Sequence, residues 1–277
     1  MDATEHRDVI RLGPDDAIEG LALSAEAQWN QSEADWRFFL GQGTVFGVRD
    51  DGGRLVATAA LLPYGAGNAW ISMVLVTAKW RRRGLATRLV DACLDVAIKQ
   101  RLTTWLDATP AGARVYGPLG FTPTLQLRRL RLEVLSPAKP QAAHAPSTGP
   151  LDDLIARDTA SIGFDRSALL GELGGRLGSR LVSVGDAAAL VRDGRVNRHI
   201  GPLFADDPAQ ALEAVEAIVR SETGPWLIDA VASQQAFLQG LAGSGWSIER
   251  PFQRMRFGRA TARAGKAPFA VAGPEFG

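Results

Sequence analysis

The stretch that most limits what this chain can fold into covers residues 69–121, and its first part is the most telling. Ala69-Trp70-Ile71-Ser72-Met73-Val74-Leu75-Val76 is an apolar, partly β-branched run and reads as a buried strand. Behind it Leu85, Leu89, Val90, Cys93, Leu94, Ala97 and Ile98 recur at three-to-four spacing, the apolar stripe of an amphipathic helix. The turn between them carries Arg81, Arg82, Arg83 and Gly84. The first turn of a helix leaves backbone N–H groups without partners, and the helix dipole adds partial positive charge there. Gly84 and Ala86 put no bulky side chain over those amides, and three guanidinium groups suit phosphate oxygens. The segment is therefore expected to cradle an anion. It is neither a Walker loop, which needs Gly-x-x-x-x-Gly-Lys-Ser/Thr, nor a dinucleotide fingerprint, which needs three glycines.

What the turn does contain is Arg81-x-x-Gly84-x-Ala86. Further on, Thr103-Thr104-Trp105-Leu106-Asp107-Ala108 reads as a second buried strand, followed by a loop and helix ending in Tyr116-x-x-x-Gly120-Phe121. The two motifs, in this order, resemble the pyrophosphate loop and the Tyr-x-x-x-Gly-Phe segment of the GNAT superfamily of N-acetyltransferases. The resemblance implies an α+β fold, a mixed and mostly antiparallel sheet flanked by helices, and acetyl-CoA as co-substrate. Backbone groups of Val74, Leu75 and Val76 would pair with the pantetheine arm. Arg81, Arg82, Arg83, Gly84, Leu85, Ala86 and Thr87 would hold the pyrophosphate. Tyr116 would act as general acid toward the departing thiolate, with an apolar ring packed beneath the cofactor as the alternative. The base is left open among Ser72, Asp107 and a water chain.

The chain opens with Val9-Ile10-Arg11-Leu12, a short strand, then a helix beginning near Pro14. Ser32-Glu33-Ala34-Asp35 reads as the N-cap and acidic first turn of a second helix. Between them lies Trp29-Asn30-Gln31. In the GNAT layout this loop covers the acceptor side, and an indole wall with directional amides suits a small ligand. Trp29, Asn30, Ser72 and Asp107 are thus the candidate acceptor contacts, against the plainer reading of Trp29 as an anchor for its loop. Asp50-Asp51-Gly52-Gly53 between two apolar runs signals a hairpin. Leu125 to Leu135 alternates like a half-exposed last strand, and the first domain is expected to span 1–135.

Residues 136–150 hold four prolines and no apolar period, as in a linker. Residues 151–277 repeat the first domain faintly: Trp226-Leu227-Ile228-Asp229-Ala230 echoes residues 104–108, and Leu241 stands where Tyr116 stands. Where the first copy has its arginines the second has Ala205-Asp206-Asp207-Pro208, and carboxylates at a helix N-terminus repel a pyrophosphate. This resembles the degenerate C-terminal domain of two-domain GNAT members. His199 is expected to be a core residue first and an acceptor contact second.

Formal charge is +1 over 277 residues, which gives no field drawing in nucleic acid or membrane. No run approaches a spanning length, no signal-like segment opens the chain, and no metal-ligand cluster is visible. The single Cys93 allows no internal disulfide, consistent with a cytoplasmic setting. The expected activity is acetyl transfer to a primary amine of a small molecule. A non-catalytic acyl-CoA sensor and a protein or peptide N-acetyltransferase stay open beside it.

Overall fold

The computed structural model describes residues 7–133, 146–259 and 265–277. The chain divides into two compact units, residues 1–106 and 107–277. Both are mixed α+β, and apart from the parallel pairs β4–β5 and β10–β11 every strand pairing described below is antiparallel.

The first unit contains β1 (Ile10–Arg11), α1 (Ala17–Glu26), α2 (Glu33–Gln42), β2 (Thr44–Arg49), β3 (Leu55–Tyr64), β4 (Asn68–Val76), α3 (Leu85–Lys99) and most of β5 (Thr103–Ala108), with strands in the order β1-β2-β3-β4-β5. Local chemistry explains the boundaries. Ser32 caps α2 by accepting from Asp35 N, and the Asp35 carboxylate accepts from Ser32 N in return. The β2–β3 hairpin turns on Asp50, whose Oδ1 accepts from the amides of Gly52 and Arg54. The first two helices pack at Gly20, where any Cβ would lie 2.4 Å from the Trp36 ring. Cys93 is fully buried on α3, and burial pushes its thiol pKa up, so it packs rather than reacts.

The second unit begins inside β5, at Asp107. It adds α4 (Pro110–Tyr116), β6 (Thr122–Leu132), β7 (Ser147–Thr148), α5 (Leu151–Ile162), α6 (Ser167–Gly175), β8 (Arg180–Val184), β9 (Ala187–Asp193), β10 (Arg198–Phe204), α7 (Pro208–Ser221), β11 (Trp226–Val231), α8 (Gln235–Gly243) and β12 (Ser247–Phe257), its strands ordered β12-β6-β11-β10-β9-β8-β7. Residues 134 and 135 of the expected first domain and 136–145 of the expected linker fall outside the described residues, and the linker's end forms β7, paired with Val182 and Ser183 of β8.

The placement of β6 differs from a plain end-of-domain strand. It lies between β12 and β11, pairing with both. β6 and β12 are counterparts in the two copies, each eleven residues long. Arg129 is the eighth residue of β6 and Arg254 the eighth of β12, and both are buried. Arg129 holds Asp229 of β11 through two bonds of 2.8 Å, and Arg254 holds Asp107 of β5 through two of 2.8 Å. The aspartates are themselves counterparts in the repeat, so each copy's aspartate is held by the other copy's arginine. Alternation of arginine with leucine makes β6 look half-exposed in sequence. In the fold its one buried arginine, Arg129, is neutralised by the buried Asp229 instead.

Candidate functional site

β4 pairs in parallel with β5 through Asn68↔Thr103, Ala69↔Thr104 and Trp70↔Trp105, a register covering only its first three residues. Farther along, its register against β3 shifts, so that Met73 and Val74 together face Ala59. This is a β-bulge, with Met73 at φ +51 and its carbonyl accepting from Thr58 Oγ1 at 2.8 Å. A non-glycine residue with positive φ costs about 1 kcal/mol or more, and such strain clusters at functional positions. Val74 and Val76, two of the expected pantetheine contacts, are half-buried, and Leu75 between them is buried.

From Val76 the chain enters a short 3-10 turn, Ala78–Trp80, whose first amide donates to Glu26 Oε1 at the end of α1 at 2.9 Å. Arg81, Arg82, Arg83 and Gly84 follow, all exposed. Arg82 and Gly84 both have positive φ, +62 and +74. Such alternation turns successive N–H groups toward one side, an anion-binding concavity. Gly84 is the N-cap residue of α3 and supplies no side-chain cap, and the first turn contains no acidic residue. The amides of Leu85, Ala86 and Thr87 precede the first α-helical bond, from Arg88 N to Gly84 O. Three cations thus sit at the positive end of a helix dipole whose first turn contributes no acidic residue. That arrangement is repulsive by itself and becomes favourable only when an anion binds.

The corresponding helix of the second unit, α7, is built the opposite way. Its N-cap is Asp207, whose carboxylate accepts from Gln210 N at 3.0 Å. The protein's own charge occupies that N-terminus, as the aspartates predict.

Two features of the first unit carry no motif. Trp80 is flanked by guanidinium groups of Arg7 and Arg83, 4.8 and 4.6 Å from the ring centroid, which steadies the basic loop. Gln31 and Ser72 are buried, and Gln31 Oε1 and Ser72 Oγ have no hydrogen-bond partner among the described residues. Unmatched buried polar atoms in a native fold call for a ligand or water. Asn30 is buried and Trp29 half-buried in the same loop, which starts just after Glu26 and so near the end of β4.

Tyr116 and Asp107 belong to the second unit. Tyr116 closes α4, a helix capped by Thr109 Oγ1, which accepts from Gly112 N. Gly120 at φ +94 makes the turn that returns Phe121 to within 6.0 Å of the Tyr116 ring, and Phe121 N donates to Tyr116 O. Asp107 has both carboxylate oxygens on Arg254. Burial raises its pKa more than the Arg254 charge lowers it. His199 is buried, with Nε2 2.9 Å from Asp229 Oδ2.

Family models match both halves: the acetyltransferase (GNAT) family over residues 16–121, and an acetyltransferase (GNAT) domain over 154–268. The chain belongs to the GNAT acetyltransferase family. It is a two-domain member, and a GNAT acetyltransferase draws on acetyl-CoA. Its similarity to "Uncharacterized N-acetyltransferase YitH" of Bacillus subtilis is 25% identity over 248 residues, covering 86% of this chain and 87% of the relative. Among solved structures, a candidate acetyltransferase of Pyrococcus horikoshii shares the fold with TM-score 0.82 at 19% identity, over 99% of this chain and 96% of that one. A tandem GNAT protein from the clavulanic acid biosynthesis pathway shares it with TM-score 0.63 at 18% identity, over 94% and 99%. Among the described residues no helix is long and apolar enough to cross a membrane.

Proposed function

We propose that this GNAT protein moves an acetyl group from acetyl-CoA to the primary amine of a small molecule, and that the first copy is the working one. The observation that carries this is the start of α3: three exposed arginines, Gly84 in the left-handed region and no capping side chain or acidic first turn. A pyrophosphate fits there, since nothing lies within 4 Å of where a Cβ on Gly84 would stand. Acetyl-CoA supplies the acetyl group as a thioester. The side chains of Arg81, Arg82 and Arg83 and the amides of Leu85, Ala86 and Thr87 hold its phosphates. The backbone of Val74 to Val76 pairs with the pantetheine amides, and an N–H at Leu75 or Val76 polarises the acyl carbonyl.

On the acceptor side, Trp29 and Asn30 wall the amine, while Gln31 Oε1 and Ser72 Oγ accept or orient its N–H groups. These atoms are buried, which suits a small enclosed acceptor better than a polypeptide. Tyr116 delivers a proton to the departing thiolate. Asp107 stays with Arg254 as a structural pair, so the amine loses its proton to water ordered by Ser72. The single, buried Cys93 supports a cytoplasmic setting.

The test is release of free CoA thiol from acetyl-CoA across a panel of small primary amines. At least one amine is expected to turn over. Tyr116→Phe should lower kcat by about 10²-fold or more with little change in the KM for acetyl-CoA. Acetyl-CoA binding without thiol release from any amine would favour the sensor reading. Release with peptides alone would favour a protein-modifying enzyme.

A further inference from the structure

The second unit contains a slot of the same construction as the one beside β4, and it is filled. β10 and β11 pair in parallel through Arg198↔Trp226, His199↔Leu227 and Ile200↔Ile228, three pairs like those of β4 and β5. Beyond Ile200 the register of β10 against β9 shifts, so that Gly201 and Pro202 together face Leu190. β4 has its bulge at Met73 and Val74 in the same relation to its hairpin partner.

Past this bulge both strands bond to residues 269–271. Leu203 N donates to Ala270 O at 3.0 Å, and Phe269 N donates to Leu203 O at 2.9 Å. On the other edge Val231 N donates to Phe269 O at 3.0 Å, and Val271 N donates to Asp229 O at 3.0 Å. Ala270 thus bridges Leu203 on one side and Ala230 on the other, antiparallel to both. The inserted residues are buried: Phe269 lies edge-on to Phe237 with centroids 5.2 Å apart, and Val271 packs with Leu127, Val231 and Phe252.

The slot is shaped for this occupant. A Cβ on Gly201 would stand 2.1 Å from Val271 O, so β10 carries glycine where the segment comes closest. Arg192 then donates to Ala272 O at 2.7 Å, and Arg166 donates to the carbonyls of Phe276 and Gly277 at 2.7 and 2.6 Å. A pantetheine arm is a flexible chain with two amides, so to the backbone edges of two parting strands it resembles an extended peptide.

We propose that the second copy keeps a binding slot for an extended, amide-bearing chain and that residues 268–272 of the protein are its ligand. They stand where a pantetheine arm would lie, as Asp207 stands where a pyrophosphate would. The occupant is an observation about the second unit alone; comparing it with pantetheine rests on the proposed use of β4.

Hydrogen exchange on the full chain tests the ladder. The amides of Phe269, Val271, Leu203 and Val231 should exchange as slowly as those of β9, and Val271→Pro, which deletes the donor to Asp229 O, should speed the other three. Exchange of Phe269 and Val271 at open-loop rates would overturn the proposal. A chain ended at residue 264 should then bind a synthetic 265–277 peptide one to one. The Val271→Pro peptide should bind about tenfold or more weakly, and excess pantetheine should displace the natural one. A folded, shortened chain that ignores the peptide, or a bound peptide that pantetheine never displaces, would contradict it. None of these readouts involves acetyl transfer, so their failure is separable from failure of the proposed activity.

Discussion

At the scale of single residues, charge is buried in matched pairs. Asp229 is held by Arg129 and His199, and Asp107 by Arg254. Burial alone would raise the Asp229 pKa, but Arg129 and His199 outweigh it and hold the carboxyl well below its usual range. Removing one member of such a pair strands the other in a dry interior. Arg129→Ala should therefore cost about 3–5 kcal/mol of stability, read from urea unfolding. A loss below 1 kcal/mol, the range of exposed pairs, would mean that water reaches the pair. His199 faces the Asp229 carboxylate, with the charges of Arg192 and Glu275 also acting on it. Burial first, then Arg192, lowers its pKa below the ordinary 6.5. Below about pH 6.5 the unfolded chain takes up the proton before the folded one, so acidification is destabilising. The melting temperature should fall from pH 7 to pH 5.5, and His199→Gln should flatten that slope. An unchanged slope in the variant would assign the effect to other groups.

At the scale of elements, helix ends separate the two copies. α3 starts with Gly84, which supplies no side-chain cap, whereas α7 starts with Asp207 and satisfies one of its own amides. Asp207→Ala should cost about 1 kcal/mol in thermal unfolding, without adding a second acetyl-CoA site, because residues 268–272 still fill the β10–β11 slot. These ends were legible in sequence because caps and turns are local: Ser32 with Asp35, Asp50 with Gly52 and the run of arginines before Gly84 declare themselves within a few residues. The insertion of β6 between β12 and β11 was not legible. It depends on Arg129 meeting Asp229 one hundred residues away, and arginines alternating with leucines look like a solvated face. Nor was the occupant of the β10–β11 slot, whose fit depends on backbone hydrogen bonds that any residue type can make. At the proposed site, the basic turn before Gly84 and Tyr116 were singled out by motifs. The amides of Asn30 and Gln31 stood out in the loop's composition, whereas Trp80 stood out only once ring stacking was known.

At the scale of the whole molecule, one fold is present twice, once with an arginine-flanked helix end that has no side-chain cap and once with that end and the adjacent slot filled by the protein itself. The central claim is that only the first copy binds acetyl-CoA and that Gly84 marks the place. Calorimetric titration of the full chain with acetyl-CoA tests it most directly, run beside Gly84→Asn and Gly84→Asp. Both side chains tolerate the left-handed conformation better than most, so the two variants differ mainly in charge. The account predicts one site per chain, modest weakening in the asparagine variant and a further loss of about tenfold or more with aspartate, which both caps the helix and repels phosphate. Two sites per chain, or equal affinity in the two variants, would contradict it.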